Sequence, residues 1–177
     1  MTRLTPARAA AVHLLPLTLL FVASSGSVPT ALAQTPPSSL STSRATVTLE
    51  AADALIAAAK ARAVEMGLTD SFAVVDENGT LKAFERMEGA GFNTADLAQR
   101  KASTAARVRT PTHLLRDRFQ NDDPGLLSYA LLPNVTFLGG GFPIMQDSAL
   151  IGGIGVSGGT SAQDMDVAQA ALVTLAH

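Results

Sequence analysis

The chain has no cysteine and no tryptophan, one tyrosine, three histidines and only 16% charged residues in a length of 177. Without cysteine it forms no disulfide and no thioether attachment and offers no thiolate nucleophile, so an oxidising compartment neither helps nor harms it. His13 lies in an N-terminal apolar stretch and His177 is the last residue, which leaves His113 as the one histidine in the body of the chain. Neither an HExxH motif nor a paired-histidine spacing is present, which argues against a zinc hydrolase. Aromatic residues make up 5% of the sequence, so the core has to be built from aliphatic side chains and alanine. Alanine lets backbones approach closely but buries little area, at roughly 25 cal/mol per Å² of apolar surface, which favours extra burial between copies of the chain. Basic residues are also few, 13 against 15 acidic, and the deficit argues against general nucleic-acid binding, which leans on basic surface.

What is present begins with Arg3 and Arg8, an apolar run from Ala9 to Ala23, and Val28-Pro-Thr-Ala-Leu-Ala33 before Gln34. These are the three parts of a secretory signal with an Ala-x-Ala cleavage site, so residues 1–33 are expected to be a signal peptide cut after Ala33. The run is shorter than the roughly 20 residues a membrane span needs and is interrupted by His13 and Pro16, so no stable membrane anchor is expected. Cleavage would leave 11 basic and 15 acidic side chains, a formal charge of −4, on a periplasmic or secreted protein. Residues 34–46, rich in Pro, Ser and Thr, read as a flexible lead-in, and 47–177 as a single domain of about 130 residues, near the modal domain size.

Within that domain Thr48 is suited to cap a helix over Leu49–Met66, where Ala52, Leu55, Ile56, Ala59, Ala63 and Met66 recur at helical spacing and Gly67 supplies the stop. Phe72 to Arg86 holds two runs of β-formers around Asn78-Gly79, the signal for a hairpin with a two-residue turn. Thr94 to Arg107 follows as a helix with Asn93 or Thr94 as N-cap and Pro111 beyond its end. Thr112 can cap a shorter helix through Phe119, and Gly125 to Leu132 reads as a further turn or two ended by Pro133. Val135 to Ser157 reads as apolar strands punctuated by Gly139-Gly140-Gly141, Pro143 and Asp147-Ser148. Ser161 with Asp164 three residues on matches an acidic capping box that heads the last helix, Ala162 to Leu175. No regular βαβ alternation appears, so the fold class expected is α+β, a mainly antiparallel sheet with helices packed on it.

Six segments in order, Ala73-Val-Val-Asp76, Phe84-Glu-Arg-Met87, Arg100-Lys-Ala-Ser-Thr-Ala-Ala106, Pro111-Thr112, Gly139-Gly-Gly-Phe-Pro-Ile144 and Gly153-Ile-Gly-Val-Ser-Gly158, resemble the GlcG/HbpS-like haem-binding family from about Leu49 to the C-terminus. The resemblance implies profilin-like layers, a homo-oligomer and a haem or related tetrapyrrole ligand. Related domains occur attached to corrinoid-handling enzymes.

A haem site needs apolar walls, cations or amides for the propionates and an axial ligand. Lys101 and Thr104 share one helix face inside the family-like Lys-Ala-Ser-Thr-Ala segment, and Arg100 and Arg107 line the neighbouring stripe. Lys101 and Arg107 are the candidates to meet propionates, and His113, or a hydroxyl of Thr104 or Thr112, to approach iron. An exposed histidine at a helix start is equally ordinary, and Met87 and Met145 are weaker ligand candidates that read more simply as core. Gly158-Gly159-Thr160-Ser161 leads into a helix N-terminus, where free amides favour an anion, although these glycines also suit tight turns. Gly155-Val-Ser-Gly-Gly159 has the form G-x-S-x-G, yet of the acid and histidine a serine nucleophile needs, the only histidine downstream is the terminal His177. Two other classes stay open: an enzyme moving a proton on a small organic acid or carbonyl compound through Asp76 or Lys101, and a homo-oligomeric interaction module without a ligand.

Overall fold

The computed structural model describes residues 43–121 and 124–174; the expected signal over 1–33 and most of the expected lead-in lie outside them. Val47 is buried and its amide donates to the Ile151 carbonyl at 2.8 Å, which ties the start of the domain to a late strand. Helix α1 (Leu49–Glu65) starts as its sequence indicates, with the Thr48 hydroxyl accepting from the Ala51 amide at 3.1 Å, and ends before Gly67 at φ +68°. Its buried stripe is Ala52, Leu55, Ile56, Ala59 and Ala63, the expected positions except that Met66 is only partly covered.

Strands β1 (Ser71–Asp76) and β2 (Leu81–Arg86) form the first hairpin. The turn is longer than Asn78-Gly79 alone: the Asp76 amide donates to the Thr80 carbonyl at 2.8 Å and the Gly79 amide to the Asp76 carbonyl at 3.0 Å, which leaves a three-residue loop, Glu77 to Gly79. Gly79 takes the left-handed position, φ +87°, that such a bulged turn requires. The Asp76 carboxylate selects this form by accepting from the amides of both Asn78 and Thr80, each at 2.9 Å.

Helix α2 (Thr94–Val108) has Asn93 at its N-cap position, without a side-chain capping bond, and ends on Arg109 in the left-handed conformation. Two short helices follow, α3 (Thr112–Gln120) and α4 (Pro124–Ala130). Pro111, not Thr112, occupies the N-cap of α3, because the Thr112 hydroxyl is engaged elsewhere. Strands β3 (Gly141–Gln146) and β4 (Ala149–Ser157) make the second hairpin. Helix α5 (Ser161–Val173) closes the domain. Its capping box lies one residue earlier than the sequence pattern suggests: Thr160 and Gln163 form it, so Ser161 is already helical and Asp164 is released from the cap. Leu175, the expected end of this helix, lies outside the described residues.

The four strands form one antiparallel sheet in the order β2-β1-β4-β3, which bears out the α+β expectation. Alternation sorts its side chains to two faces. On one, Phe72, Val74, Ile154 and Val156 pack with Leu55, Ile56 and Ala59 of α1 and Val167, Ala168 and Ala171 of α5. On the other, Ala73 and Val75 meet only alanines, Ala98, Ala102 and Ala106 of α2.

That second layer is thin because β3 and β4 present glycine to α2. A β-carbon on Gly155 would collide with the Ala98 carbonyl, one on Gly153 would stand 2.5 Å from the Ala102 carbonyl, and one on Gly141 would collide with the Lys101 carbonyl. The helix backbone therefore rests directly on the sheet backbone. Gly155→Ala is expected to destabilise the fold by about 3 kcal/mol or more, since backbone has to move. Gly67→Ala, with nothing within 4 Å of the new carbon, bears only the left-handed penalty of about 1 kcal/mol. Urea unfolding followed by circular dichroism compares the two.

Candidate functional site

The end of the sheet where the central strands β1 and β4 begin and finish gathers most of the buried polar side chains. Asp70 and Ser71 come from the start of β1, Thr94 and Lys101 from α2, Ser157 from the end of β4 and Asp164 from the first turn of α5, all buried. Lys101 is turned inward at 2% exposure. Its Nζ donates to Asp164 Oδ2 at 2.6 Å and to the Val156 carbonyl at 2.8 Å. The other oxygen of Asp164 accepts from the Gly159 amide at 2.9 Å, with the Gly158 amide also directed at this carboxylate. The anion expected at the glycine-rich entrance to α5 is thus a side chain of the helix itself. Ser71 and Thr94 hydroxyls share a hydrogen bond at 2.8 Å beside this group.

Asp70 completes the cluster and is not marked by any sequence motif. It is 0% exposed, and neither carboxylate oxygen has a hydrogen-bond partner. Burial, reinforced by the charge of Asp164 and opposed by that of Lys101, pushes its carboxyl up to about 6. Burial likewise drives Lys101 below the ordinary lysine range and Asp164 above the ordinary carboxylate range, with their mutual attraction working the other way. Burial thus shifts all three ionisable groups toward their neutral forms, against the attraction between Lys101 and the two carboxylates.

The other expected residues lie in the C-terminal half of α2 and at the start of α3. Thr104 is buried and its hydroxyl accepts from the Thr136 amide at 3.1 Å. The Thr112 hydroxyl donates to the Leu138 carbonyl at 2.6 Å and accepts from the Gly141 amide at 3.0 Å, pinning α3 to the glycine triplet. Arg107 is exposed and its stem lies against Gly79. His113 is half-buried, its ring 5.6 Å from that of Phe142, and its Nδ1 is enclosed without a partner. A lysine facing a ligand's carboxylates is thus replaced by a lysine facing Asp164, and Asp76 serves the hairpin turn instead of standing beside Lys101. Met87 accepts the Asp70 amide on its sulfur at 3.4 Å, and Met145 is exposed. Ser157 is buried at the end of a strand.

Helix α3 and the segment between α4 and β3 expose several apolar side chains, interspersed on α3 with Arg116, Asp117 and Arg118. Leu114, Phe119, Leu132 and Leu138 are 40–45% exposed and Leu131 86%, and the rings of Phe119 and Phe137 stand 5.3 Å apart. Three concavities among the described residues are of modest size. One of ≈ 240 Å³ lies between the first hairpin and α2, lined by Val75, Leu81, Asp96, Arg100, Ser103 and Asn134 among others. Two more open ones measure ≈ 340 and ≈ 380 Å³.

Residues 47–173 match the family described as haem degrading protein HbpS-like. The chain belongs to the HbpS-like family. This bears out the resemblance carried by the segments between Ala73 and Gly158. The chain is 39% identical over 132 residues to an uncharacterized 15.0 kDa protein from the dhaT-dhaS intergenic region of Citrobacter freundii, covering 72% of this chain and 91% of that one. It is 37% identical over 145 residues to the corrinoid adenosyltransferase PduO of Salmonella typhimurium; this covers 79% of the chain but only 42% of PduO. Among solved structures, a double mutant of HbpS from Streptomyces reticuli superposes with a TM-score of 0.73 at 35% identity, covering 84% of this chain and all of that one. A PduOC:haem complex gives 0.66 at 36% identity, with 72% of this chain and 94% of that one covered.

The Asp70 carboxyl has a direct thermodynamic consequence. Its pKa is higher in the folded chain, about 6, than the ordinary 3.8, so the folded state holds the proton more tightly and stability falls as pH rises through that window, levelling above it. Asp164 adds a slope of the same sign. Asp70→Asn is expected to flatten the decline between about pH 4 and 7 and to be about 1 to 3 kcal/mol more stable than wild type at pH 7. Urea midpoints across that range measure both effects.

Proposed function

We propose that this chain is an exported binding protein for haem or a related tetrapyrrole, a carrier or scavenger that holds its ligand on an exposed apolar face and not in a closed pocket. The observation that carries the reading is the set of exposed apolar side chains on α3 and on the segment between α4 and β3, with His113 on the same helix. The haem complex of a relative 36% identical to this chain supports the ligand class. A macrocycle needs the upper end of the roughly 300 to 1,000 Å³ range, which none of the three concavities reaches, so the ligand would lie on the surface or between two copies.

The residues fit such a group in kind. Leu114, Phe119, Leu131, Leu132 and Leu138 supply apolar wall, His113 an imidazole, and Arg107 an exposed guanidinium for a propionate. Thr104, Thr112 and Lys101 hold that wall in place from behind, through the Thr136 amide, the Leu138 carbonyl and Asp164. When bound, the iron supplies diatomic-ligand and one-electron chemistry. The small-acid enzyme loses support because Asp76 and Lys101, its two proton carriers, are engaged in the turn and the buried pair.

Haemin titration of the mature protein is expected to give a saturable Soret shift, weakened about tenfold or more by His113→Ala. Light scattering on the same samples is expected to show a homo-oligomer. A wild type that shows no saturable shift beyond an albumin control would remove the haem reading. Export is checked separately: protein recovered from the periplasm or medium should begin at Gln34, and a chain starting at Met1 would overturn it.

A further inference from the structure

A chain without cysteine has no disulfide to lock its layers together, yet the cluster at the end of the sheet holds the parts of another covalent link. Lys101 Nζ lies 2.6 Å from Asp164 Oδ2 with both side chains at 3% exposure or less, so water is excluded from the pair. The amine is aimed by the Val156 carbonyl at 2.8 Å. The far oxygen, Asp164 Oδ1, sits on the Gly159 amide at 2.9 Å with the Gly158 amide beside it, the arrangement that stabilises an oxyanion at a carbonyl under attack. A third acid, Asp70, is fully buried, coupled electrostatically to both partners, and has both oxygens uncommitted.

We propose that Lys101 and Asp164 condense into an intramolecular isopeptide bond, a covalent strut between α2 on one face of the sheet and α5 on the other. Lys101 first passes one proton to Asp164 Oδ2 along their 2.6 Å contact, and the uncharged amine then attacks Asp164 Cγ. The N–C bond forms as negative charge gathers on Oδ1 under the two glycine amides, and Asp70 receives a proton from the nitrogen. Asp70 returns that proton to Oδ2, the Cγ–Oδ2 bond breaks and one water leaves. An ammonium and a carboxylate become an amide and water, so charge and atoms balance without oxidant, cofactor or energy source. Burial favours the uncharged amine of Lys101 and the uncharged carboxyl of Asp164, the nucleophile and the electrophile, while Asp70 takes the proton as the carboxylate it becomes above about pH 6. The remaining N–H keeps its acceptor in Val156.

Intact mass spectrometry of the purified protein under denaturing conditions, judged against its observed N-terminus, tests this directly. The expected mass is that of the sequence less one water, with a branched peptide joining the Lys101 and Asp164 segments after proteolysis. Asp164→Asn should lose one ammonia instead, since the amide leaves as ammonia. Lys101→Arg, and Asp70→Asn with wild-type circular dichroism, should keep their full masses. A folded wild type at full mass after prolonged incubation at neutral pH overturns the proposal. So does a water loss that persists in Lys101→Arg or maps to a succinimide elsewhere, such as Asp147-Ser148.

Discussion

The rest of the domain depends on how closely α2 is seated on the sheet. Glycines 141, 153 and 155 leave no β-carbon where β3 and β4 meet the α2 backbone, and Ala98 and Ala102 offer nothing larger in return. At that separation a long side chain on the inner face of α2 cannot lie flat between the layers. Lys101, whose own carbonyl rests over Gly141, has to run along the helix–sheet seam and emerge at the end of β4, where Val156 and Asp164 receive it. The same seating brings Thr112 onto the Gly141 amide and so fixes where α3, and with it His113, begins.

A lysine and two aspartates at 2% exposure or less are an expensive choice for stability alone. Desolvation costs several kcal/mol per ion, and a well-packed apolar group of the same volume often does as well. What the charged version adds is direction: an ammonium accepts only one arrangement of Asp164, Val156 and the two glycine amides. The orientation of α5 against the end of the sheet is thereby specified more sharply than by the alanine-rich contact between α1 and α5. Asp70, whose carboxylate makes no hydrogen bond, contributes nothing to that specification through its side chain, so its place in the cluster calls for a role other than packing.

Much of this was legible in the residues. The period of α1, the hairpin punctuation and the absence of βαβ alternation indicated an antiparallel sheet with helices on it, and the motif order indicated the family. The failures have one physical origin, competition for side chains that sequence spacing does not weigh. Thr112 resembles a cap but is drawn off by Leu138 and Gly141. Asp164 resembles the acid of a capping box, but Thr160 with Gln163 makes a better one, and the displacement by one residue turns Asp164 from solvent to Lys101. The glycines at 153 and 155 carried no reading beyond the family segment, although their alternation is the period of a strand face. Asp70 had no signal beyond its place just before an apolar strand.

The two hairpins are local, but the centre of the sheet is not: Phe72 pairs with Val156 and Val75 with Gly153. A chain made from its N-terminus completes β1, apolar and buried on both faces in the finished domain, long before β4 exists to cover its inner edge. Until then that strand is an open template for pairing with any other chain, and closing so long a loop makes the step slow. The domain is thus built to fold late and all at once, a course compatible with a chain held unfolded until its last strand and helix are available.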